Sequence, residues 1–297
     1  MASIIKRRSK YAVVYNYNDE HGEKKQKWET WGTLKEAKKR KAEIEYQQSN
    51  DTFIPPTVKT VSDLLYEFVE TYGVNKWALS TYTSKKGLID NYVNPFIGDW
   101  NLADATPRAM DEYYKKLLSV KAKTGFRQQE KETTISARNI REIHKVLRCA
   151  FNQAVKWEYI SRNPVEHASL PKSEPKEREI WTAETLFHAL ELCGDERLAL
   201  AINLAFSCSL RIGELTGLTW DCVDVSEERL TNNDASIYIE KELSRVSRDA
   251  MDKLDNRDVI QIFPAVLSSP ATALVLKKPK TKSSVRRIWL PTTVAKM

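Results

Sequence analysis

The chain has 297 residues, of which 29% are charged and 9% are aromatic, and it carries a formal charge of +7 with a pI near 9.0. This length suits two or three compact domains, and this composition excludes a mainly disordered chain. The positive charge favours a polyanionic partner, although a generic basic protein fits the charge equally well.

Several functional classes are not expected from the sequence. No apolar run reaches the length of a membrane span, and no secretory signal peptide is apparent. The four cysteines and four histidines lie far apart in the chain, so neither a disulfide framework nor a metal centre is predicted. We expect small core cysteines in a cytoplasmic protein with no cofactor.

The first 50 residues predict a small sheet followed by a helix. Three short runs are typical of strands: residues 3–8, 11–17 and 25–31. Residues 18–22 supply the turn between the last two. Thr33 and Glu36 have the spacing of a capping box, which predicts that a helix begins there. Twelve Lys/Arg against seven Asp/Glu concentrate positive charge in this segment.

The outer face of this sheet is predicted to combine lysines with tyrosines. The side chains expected there are Lys24, Lys25, Lys27, Tyr15 and Tyr17. Cationic residues hold phosphates and a β-ribbon can enter a major groove, so the pattern fits DNA contact. A solvated surface fits these residues equally well.

A proline-containing linker at residues 51–57 leads to a second domain, residues 58–170, that we predict to be all-helical. The four expected helices are residues 63–72, residues 80–93, one opened by Thr106 and Pro107, and residues 134–157.

The fourth of these helices has an apolar face and a cationic face. Arg138, Arg141, Lys145 and Arg148 fall within about 80° of one another at 100° per residue, nearly opposite the apolar side chains. Glu142 is expected to point elsewhere, which leaves the stripe without an acid. Because a solvated face usually mixes charges, phosphate contact is favoured over solvent.

A charged hinge at residues 171–178 precedes a mixed α/β third domain. Its predicted helices are one capped by Thr182, a buried helix at residues 198–208 and a helix at residues 211–218. Its predicted strands are residues 235–239, 273–276 and 287–290. Residues 240–269 are polar and partly helical, with no chemical role apparent, and another helix is expected to begin at Pro291.

Two motifs in this third domain carry a family resemblance. Residues 209–220 read SLRIGELTGLTW, and residues 279–288 read PKTKSSVRRI. The first resembles the segment around the first active-site arginine of tyrosine recombinases, the phage-integrase family. The second resembles that family's lysine hairpin. Residues 94–107 and 154–164 resemble its helical, SAM-like core-binding domain.

The resemblance, to the phage or conjugative-transposon type, implies a multidomain α+β chain. It implies an arm-type DNA-binding domain at residues 1–50, a core-binding domain at 58–170 and a partial catalytic domain at 178–297. The implied activity is site-specific recombination of double-stranded DNA at arm and core sequences. Other integrase protomers are the implied protein partners, and no metal, cofactor or membrane takes part.

The family mechanism gives roles to residues in the two motifs. A tyrosine attacks the scissile phosphorus, fixed cations stabilise the developing charge, and a lysine protonates the leaving oxygen. The resemblance assigns the phosphate clamp to Arg211 and the general acid to Lys280, with Lys282 as the rival. Glu214 either orients Arg211 or forms an ordinary salt bridge. Six basic residues and no acid lie between Lys277 and Arg287, and most of these, Lys282 included, are expected at phosphates or in solvent.

The sequence carries only the front half of such an active site. No histidine follows His188 and no tyrosine follows Tyr238, so the His-x-x-Arg box and the nucleophile are missing. We therefore expect a C-terminally truncated integrase that is inactive alone and exposes apolar surface in its third domain. One alternative is a non-catalytic DNA-binding protein that occupies integrase arm and core sites. A transcriptional regulator is a further alternative, against which the Arg211 and Lys280 motifs argue.

Overall fold

The computed structural model describes residues 2–7, 10–18, 24–49, 60–124, 129–172, 179–265 and 271–297. The chain divides into two compact units. The first comprises Met1–Glu70, Leu88–Thr124 and Gln128–Lys172, and the second comprises Thr71–Gly87, Gly125–Arg127 and Ser173–Met297. The predicted linker at 51–57, most of the turn at 18–22 and most of the hinge at 171–178 lie outside the described residues.

The first unit begins with the predicted sheet and helix. The strands are β1 (Ala2–Arg7), β2 (Lys10–Asn18) and β3 (Lys24–Trp31), antiparallel in that order, and the helix is α1 (Leu34–Ser49). Between them lies a small core of Ala2, Val13, Tyr15, Ala37 and Ile44. The capping box is confirmed, because the Thr33 N–H donates to Glu36 (3.0 Å) and the Glu36 N–H donates to the Thr33 hydroxyl (3.3 Å).

The sheet register corrects the predicted outer face. Tyr15 pairs with Lys27, and Tyr17 pairs with Lys25. Directly paired side chains share a face, and Tyr15 and Tyr17 pack in the core beneath α1. These four side chains therefore belong to the helix-covered face, and the prediction that they lie outside is wrong. Lys24 alone of the predicted set falls on the free face, because strand residues alternate in direction.

The following elements are mostly helical, as predicted. In chain order they are α2 (Val61–Glu67), a π-helical turn (Phe68–Gly73), α3 (Val74–Lys76), α4 (Leu79–Leu88), a second π-helical turn (Ile89–Val93), α5 (Asn94–Ile97), a 3-10 turn (Leu102–Asp104), α6 (Pro107–Leu117) and α7 (Ala137–Lys156). Thr106 caps α6 by accepting from the Ala109 N–H, with Pro107 in the first turn, and Ser136 caps α7.

A strand pair between α6 and α7 contradicts the all-helical prediction. β4 (Lys121–Thr124) pairs antiparallel with β5 (Gln129–Thr134). The Tyr92 hydroxyl accepts the Lys123 N–H at 2.7 Å and ties β4 to the second π-helical turn. Both strands are almost entirely polar, so they lack the apolar alternation from which a strand is predicted.

The second unit contains the mixed α/β elements. They are α8 (Ala183–Glu191), α9 (Glu196–Cys208), α10 (Ile212–Thr216), a 3-10 turn (Trp220–Cys222), β6 (Val223–Asp224), α11 (Glu227–Thr231), β7 (Ser236–Ile239), β8 (Glu242–Ser247), α12 (Arg248–Lys253), β9 (Val259–Phe263), β10 (Thr272–Lys277), a 3-10 turn (Lys282–Ser284), β11 (Arg286–Trp289) and α13 (Thr292–Ala295). The predicted helices and strands of this region are present, including the cap at Thr182.

Strand pairing in this unit separates two sheets. β8, β10 and β9 form one three-stranded sheet, and β11, β7 and β6 form another. The prediction of a lysine hairpin is therefore wrong in one respect, because β10 and β11 do not pair with each other. Residues 240–269, which had no predicted role, supply two strands of the first sheet and the helix α12.

The core of the second unit is small, and much apolar surface remains exposed. A cluster under the β11–β7–β6 sheet contains Leu204, Cys208, Leu210, Ala235, Ile237, Ile239, Leu290 and Val294. Helix α9, which was predicted to be buried, is only partly buried, since its residues Leu198 and Phe206 are 53% and 52% exposed. Trp220 and Ile212 are 82% and 76% exposed, which agrees with the expected apolar surface. Among the described helices, none combines the length and apolar character that crossing a membrane requires.

Candidate functional site

Arg211 stands at a sharp change of chain direction. Helix α9 ends at Cys208, the left-handed backbone of the next residue, Ser209 (φ 52°), turns the chain, and Leu210 then inserts into the core. Arg211 is the extended residue before α10 (φ −71°, ψ 150°). Its side chain is 70% exposed, so the guanidinium is accessible to a ligand.

Glu214, one turn into α10, is buried and joins two arginines. Its carboxylate accepts the Arg211 backbone N–H (3.0 Å) and the Arg211 Nη1 (2.8 Å). It also accepts the Arg286 Nη1 (3.1 Å) and Nη2 (2.9 Å). Chiefly because Arg286 hydrogen-bonds it, the pKa of Glu214 falls to about 2. Glu214 is therefore an anion that fixes the Arg211 main chain and side chain together.

Arg286 is the site residue that sequence reasoning missed. It lies at the start of β11 and was counted only within the basic run after Lys277. Its Nη1 also donates to the Ser284 carbonyl at 2.9 Å. The available signal was indirect. A buried carboxylate such as that of Glu214 requires more positive charge and more hydrogen-bond donors than one exposed arginine provides, which indicates a second cationic partner.

Lys280 and Lys282 lie on the connection between β10 and β11, six and four residues before Arg286. Both are exposed, and in the part of the chain that is described neither ammonium forms an ion pair. Lys282 opens a 3-10 turn in which the Thr281 hydroxyl is 3.0 Å and 2.9 Å from the Ser283 and Ser284 hydroxyls. The choice between these two lysines as general acid stays a prediction.

Two glycines hold α10 against β8. A methyl group built on Gly217 would lie 2.6 Å from the Leu243 nitrogen, and one on Gly213 would lie 3.1 Å from the Leu243 oxygen. The backbones therefore approach too closely for any larger residue at Gly217. This contact fixes the helix that carries Glu214.

The cationic stripe of α7 is partly neutralised. Lys145 pairs with Glu142 at 2.7 Å, and Arg148 pairs with Glu166 at 3.3 Å. The expectation that Glu142 points away from the stripe is therefore wrong. Arg138 and Arg141 are exposed and have no ion-pair partner among the described residues. They are the two cations of the stripe that remain available to an external anion.

The free face of the N-terminal sheet carries an aromatic residue with a cation over it. Trp28 is 43% exposed, and the Arg7 guanidinium lies 4.6 Å from its ring centroid. The Trp28 indole N–H donates to the Gln26 side-chain oxygen at 3.1 Å. Lys24 shares this face, two residues before Gln26 and four residues before Trp28 along β3.

One group of side chains in the described residues brings together potential metal-ligand atoms. Ligand atoms of Asp221, Cys222 and Glu240 lie within 4.8 Å of one another. The Lys241 ammonium already pairs with Asp221 and lies 3.7 Å from Glu240. Because that ammonium already compensates the carboxylates, the group does not require a metal cation.

Comparisons with known proteins show what the chain is similar to. The family model described as phage integrase, N-terminal SAM-like domain, matches residues 60–118. An integrase of Streptomyces ambofaciens is 27% identical over 195 residues, 64% of this chain and 46% of that protein. A tyrosine recombinase XerC-like protein of Caldanaerobacter subterraneus subsp. tengcongensis is 24% identical over 286 residues, 94% of this chain and 64% of that protein. The chain thus spans about half to just under two thirds of these curated relatives.

A solved structure shares the fold. The Tn1549 transposon integrase, determined in complex with a circular intermediate DNA, superposes with a TM-score of 0.59 at 18% identity. The match covers 80% of this chain and 63% of that one.

Proposed function

We propose that the chain belongs to the tyrosine recombinase family and serves site-specific DNA recombination, or integration, through the DNA phosphates. Its partners on this proposal are double-stranded DNA at arm and core sequences and further integrase protomers. The relatives named integrase or tyrosine recombinase support the reaction class. Four free cysteines suit the reducing cytoplasm in which we place the protein.

One observation carries the proposal: an exposed arginine is fixed at its backbone and its guanidinium by a buried carboxylate. A planar guanidinium matches the non-bridging oxygens of a phosphate and remains charged at every physiological pH. Prior fixation reduces the reorganisation needed when charge develops in the transition state. Arg211 is therefore the proposed phosphate ligand, and Lys280 the proposed proton donor to the leaving oxygen, with Lys282 as its rival.

We further propose that residues 1–297 bind DNA without cleaving it. The family reaction forms a phosphotyrosine, and this sequence has no tyrosine after Tyr238. The alternative function, a non-catalytic protein that occupies integrase arm and core sites, requires the same binding surfaces and no nucleophile.

Three surfaces of the described residues suit DNA. In the second unit, Arg211 and the exposed lysines of the β10–β11 connection would meet a phosphate. On α7, Arg138 and Arg141 would contact the phosphate backbone of the DNA. Lys145 and Arg148 would contribute less to this binding, because Glu142 and Glu166 pair with them. On the N-terminal sheet, the face of Lys24 and Trp28 would enter a groove, while Lys25 and Lys27 lie on the opposite, helix-covered face.

The test compares two exposed arginines of the second unit. Arg211→Gln is expected to weaken binding to a duplex and to reduce the slope of log K against log salt by about 0.9, the value for one lost phosphate contact. Arg197→Gln, in α9, removes the same charge away from the site and is the matched control. Equal slopes for the two variants would refute the role of Arg211.

A further inference from the structure

The Glu214 carboxylate contacts two guanidinium groups, and the two contacts are unequal. Arg286 places Nη1 and Nη2 on the two carboxylate oxygens at 3.1 and 2.9 Å, in a two-pronged arrangement. Arg211 offers only Nη1 of its guanidinium, at 2.8 Å. Paired N–H donors give the stronger and more directional ion pair, so Arg286 is the principal counterion of Glu214.

The solvent exposure of the two arginine side chains also differs. The Glu214 side chain is 1% exposed, the Arg286 side chain 30% and the Arg211 side chain 70%. Arg286 also donates to the Ser284 carbonyl, so most of its donors are used inside the protein. The remaining donors of Arg211 face solvent and remain available to an anion.

The charge balance of the three groups depends on Arg286. Two arginines and one buried carboxylate leave a net positive charge at the exposed end, on Arg211. Without Arg286, the Arg211 guanidinium becomes the only cation among the described residues that hydrogen-bonds the carboxylate, and the two charges cancel. A guanidinium held by a buried carboxylate in this way attracts a phosphate much less.

We propose that Arg286 is a positioning residue for Arg211: it neutralises Glu214 so that Arg211 keeps its charge for a DNA phosphate. This inference rests on the proposed role of Arg211 as a phosphate ligand. Through Ser284, the same guanidinium also fixes the end of the connection that carries Lys280 and Lys282. One side chain thus joins the two motifs through a contact between residues that are 72 positions apart.

The test measures the salt dependence of duplex-DNA binding by the 297-residue chain and its variants. Arg286→Gln is expected to reduce the slope by about 0.9, as Arg211→Gln does, although Arg211 is still present. The double variant Arg286→Gln/Glu214→Gln is expected to regain the wild-type slope, because no carboxylate remains to neutralise Arg211. Arg286→Lys keeps the charge and loses the fork, so the slope is retained while the thermal unfolding midpoint falls.

The outcomes separate this inference from the proposed function. An unchanged slope in Arg211→Gln contradicts the proposed function itself. A reduced slope in Arg211→Gln with a wild-type slope in Arg286→Gln overturns only the role of Arg286. So does a double variant that stays as shallow as Arg286→Gln, since a purely structural role predicts no recovery.

A second measurement applies if Arg286→Gln does not fold. Glu214→Gln leaves both guanidiniums cationic, so its slope is expected to be steeper than that of the wild type. A slope equal to or shallower than the wild-type value overturns the inference.

Discussion

At the residue scale, the titration of Glu214 links the site to the stability of the second unit. Its pKa is about 2 in the folded chain against an ordinary value of 4.5, because Arg286 and Arg211 hydrogen-bond its charged form. A lowered folded pKa adds stability above the unfolded pKa, and this stability is lost as the pH falls from about 4.5 to about 2.

Glu214→Gln therefore has a pH-dependent effect on stability. The wild type is expected to exceed the variant in free energy of unfolding at neutral pH, with the difference shrinking between about pH 4.5 and 2. Denaturant unfolding at several pH values measures this. The control is Glu191→Gln, since the Glu191 side chain is 77% exposed. A difference that is constant with pH would show that the Glu214 charge is not the cause.

The two unpaired arginines of α7 give a second prediction at this scale. Arg138→Gln/Arg141→Gln is expected to weaken duplex binding and to flatten the salt slope by nearly 2, one unit for each phosphate contact. Lys145→Gln/Arg148→Gln removes the same charge from residues that Glu142 and Glu166 already neutralise, so its effect is expected to be smaller. If the two double variants reduced the salt slope equally, the distinction between unpaired and paired cations on α7 would be contradicted.

The residue pairing could be predicted only in part from the sequence. Arg211 and Glu214 are three residues apart at a helix start, so their contact follows from local geometry. The partner Arg286 follows only from the docking of β11 beside α10, which no local pattern specifies. The Lys145–Glu142 pair was missed because long side chains span angular separations that a helical wheel treats as distinct faces.

At the element scale, the contact of α10 with β8 determines how rigidly Arg211 is presented. Gly217→Ala would place a methyl group 2.6 Å from the Leu243 nitrogen, which is backbone and cannot move alone. We expect a loss of about 1–3 kcal/mol in the free energy of unfolding, the range for overpacked sites. Denaturant melts measure it.

Gly87→Ala is the control of opposite sign. A methyl group at Gly87 meets nothing within 4 Å, and the residue lies inside α4. The substitution is expected to stabilise the chain by roughly 0.5–1 kcal/mol through helix propensity. A loss in both variants would mean that the clash at Gly217 is not the cause.

The free face of the N-terminal sheet gives another element-scale prediction. Trp28→Ala is expected to weaken duplex binding, because Trp28 and the Arg7 guanidinium over it lie on that face. Tyr46→Ala, at a 70% exposed position on α1, is the control, since α1 covers the other side of the sheet. Binding that falls equally in both variants would remove the free face from the proposed DNA surface.

Elements with strong periodicity were predictable, and polar ones were not. Helix α7 was found because its buried side chains recur every three or four residues. The β4–β5 pair was missed because its strands carry hardly any apolar residue. The face of β3 was mispredicted because Lys24, Lys25 and Lys27 give no alternation from which the inward side is recognised.

At the scale of residues 1–297 taken together, our proposal is DNA binding without covalent capture. On this proposal, residues 1–297 are expected to give no protein–DNA adduct on a nicked duplex that traps the cleaved state, because an adduct of this kind requires a tyrosine nucleophile held in the site. Denaturing gel electrophoresis of the mixture measures this, with DNA binding by the same sample as the positive control. A denaturant-resistant adduct would contradict the prediction.

At this scale, the arrangement of the strands into sheets could not be predicted, because it depends on pairing between strands that are distant in the sequence. All three strands expected after residue 230 are present, but their distribution between two sheets follows from contacts made across the unit. The connection with Lys280 and Lys282 therefore joins two sheets. Residues 240–269 had no predicted role, because the role of β8 and β9 is to pair with β10, and this pairing is not apparent from the local sequence.

The salt dependence of duplex-DNA affinity for the wild-type chain tests the central claim most directly. Phosphate contacts by Arg211, Arg138 and Arg141 alone predict that log K falls with log salt with a slope of about −2.7 or steeper. Affinity that collapses in this way between low and moderate salt is the expected result. Affinity independent of salt, or no binding at low salt, would contradict the account of this chain as a phosphate-directed DNA-binding protein.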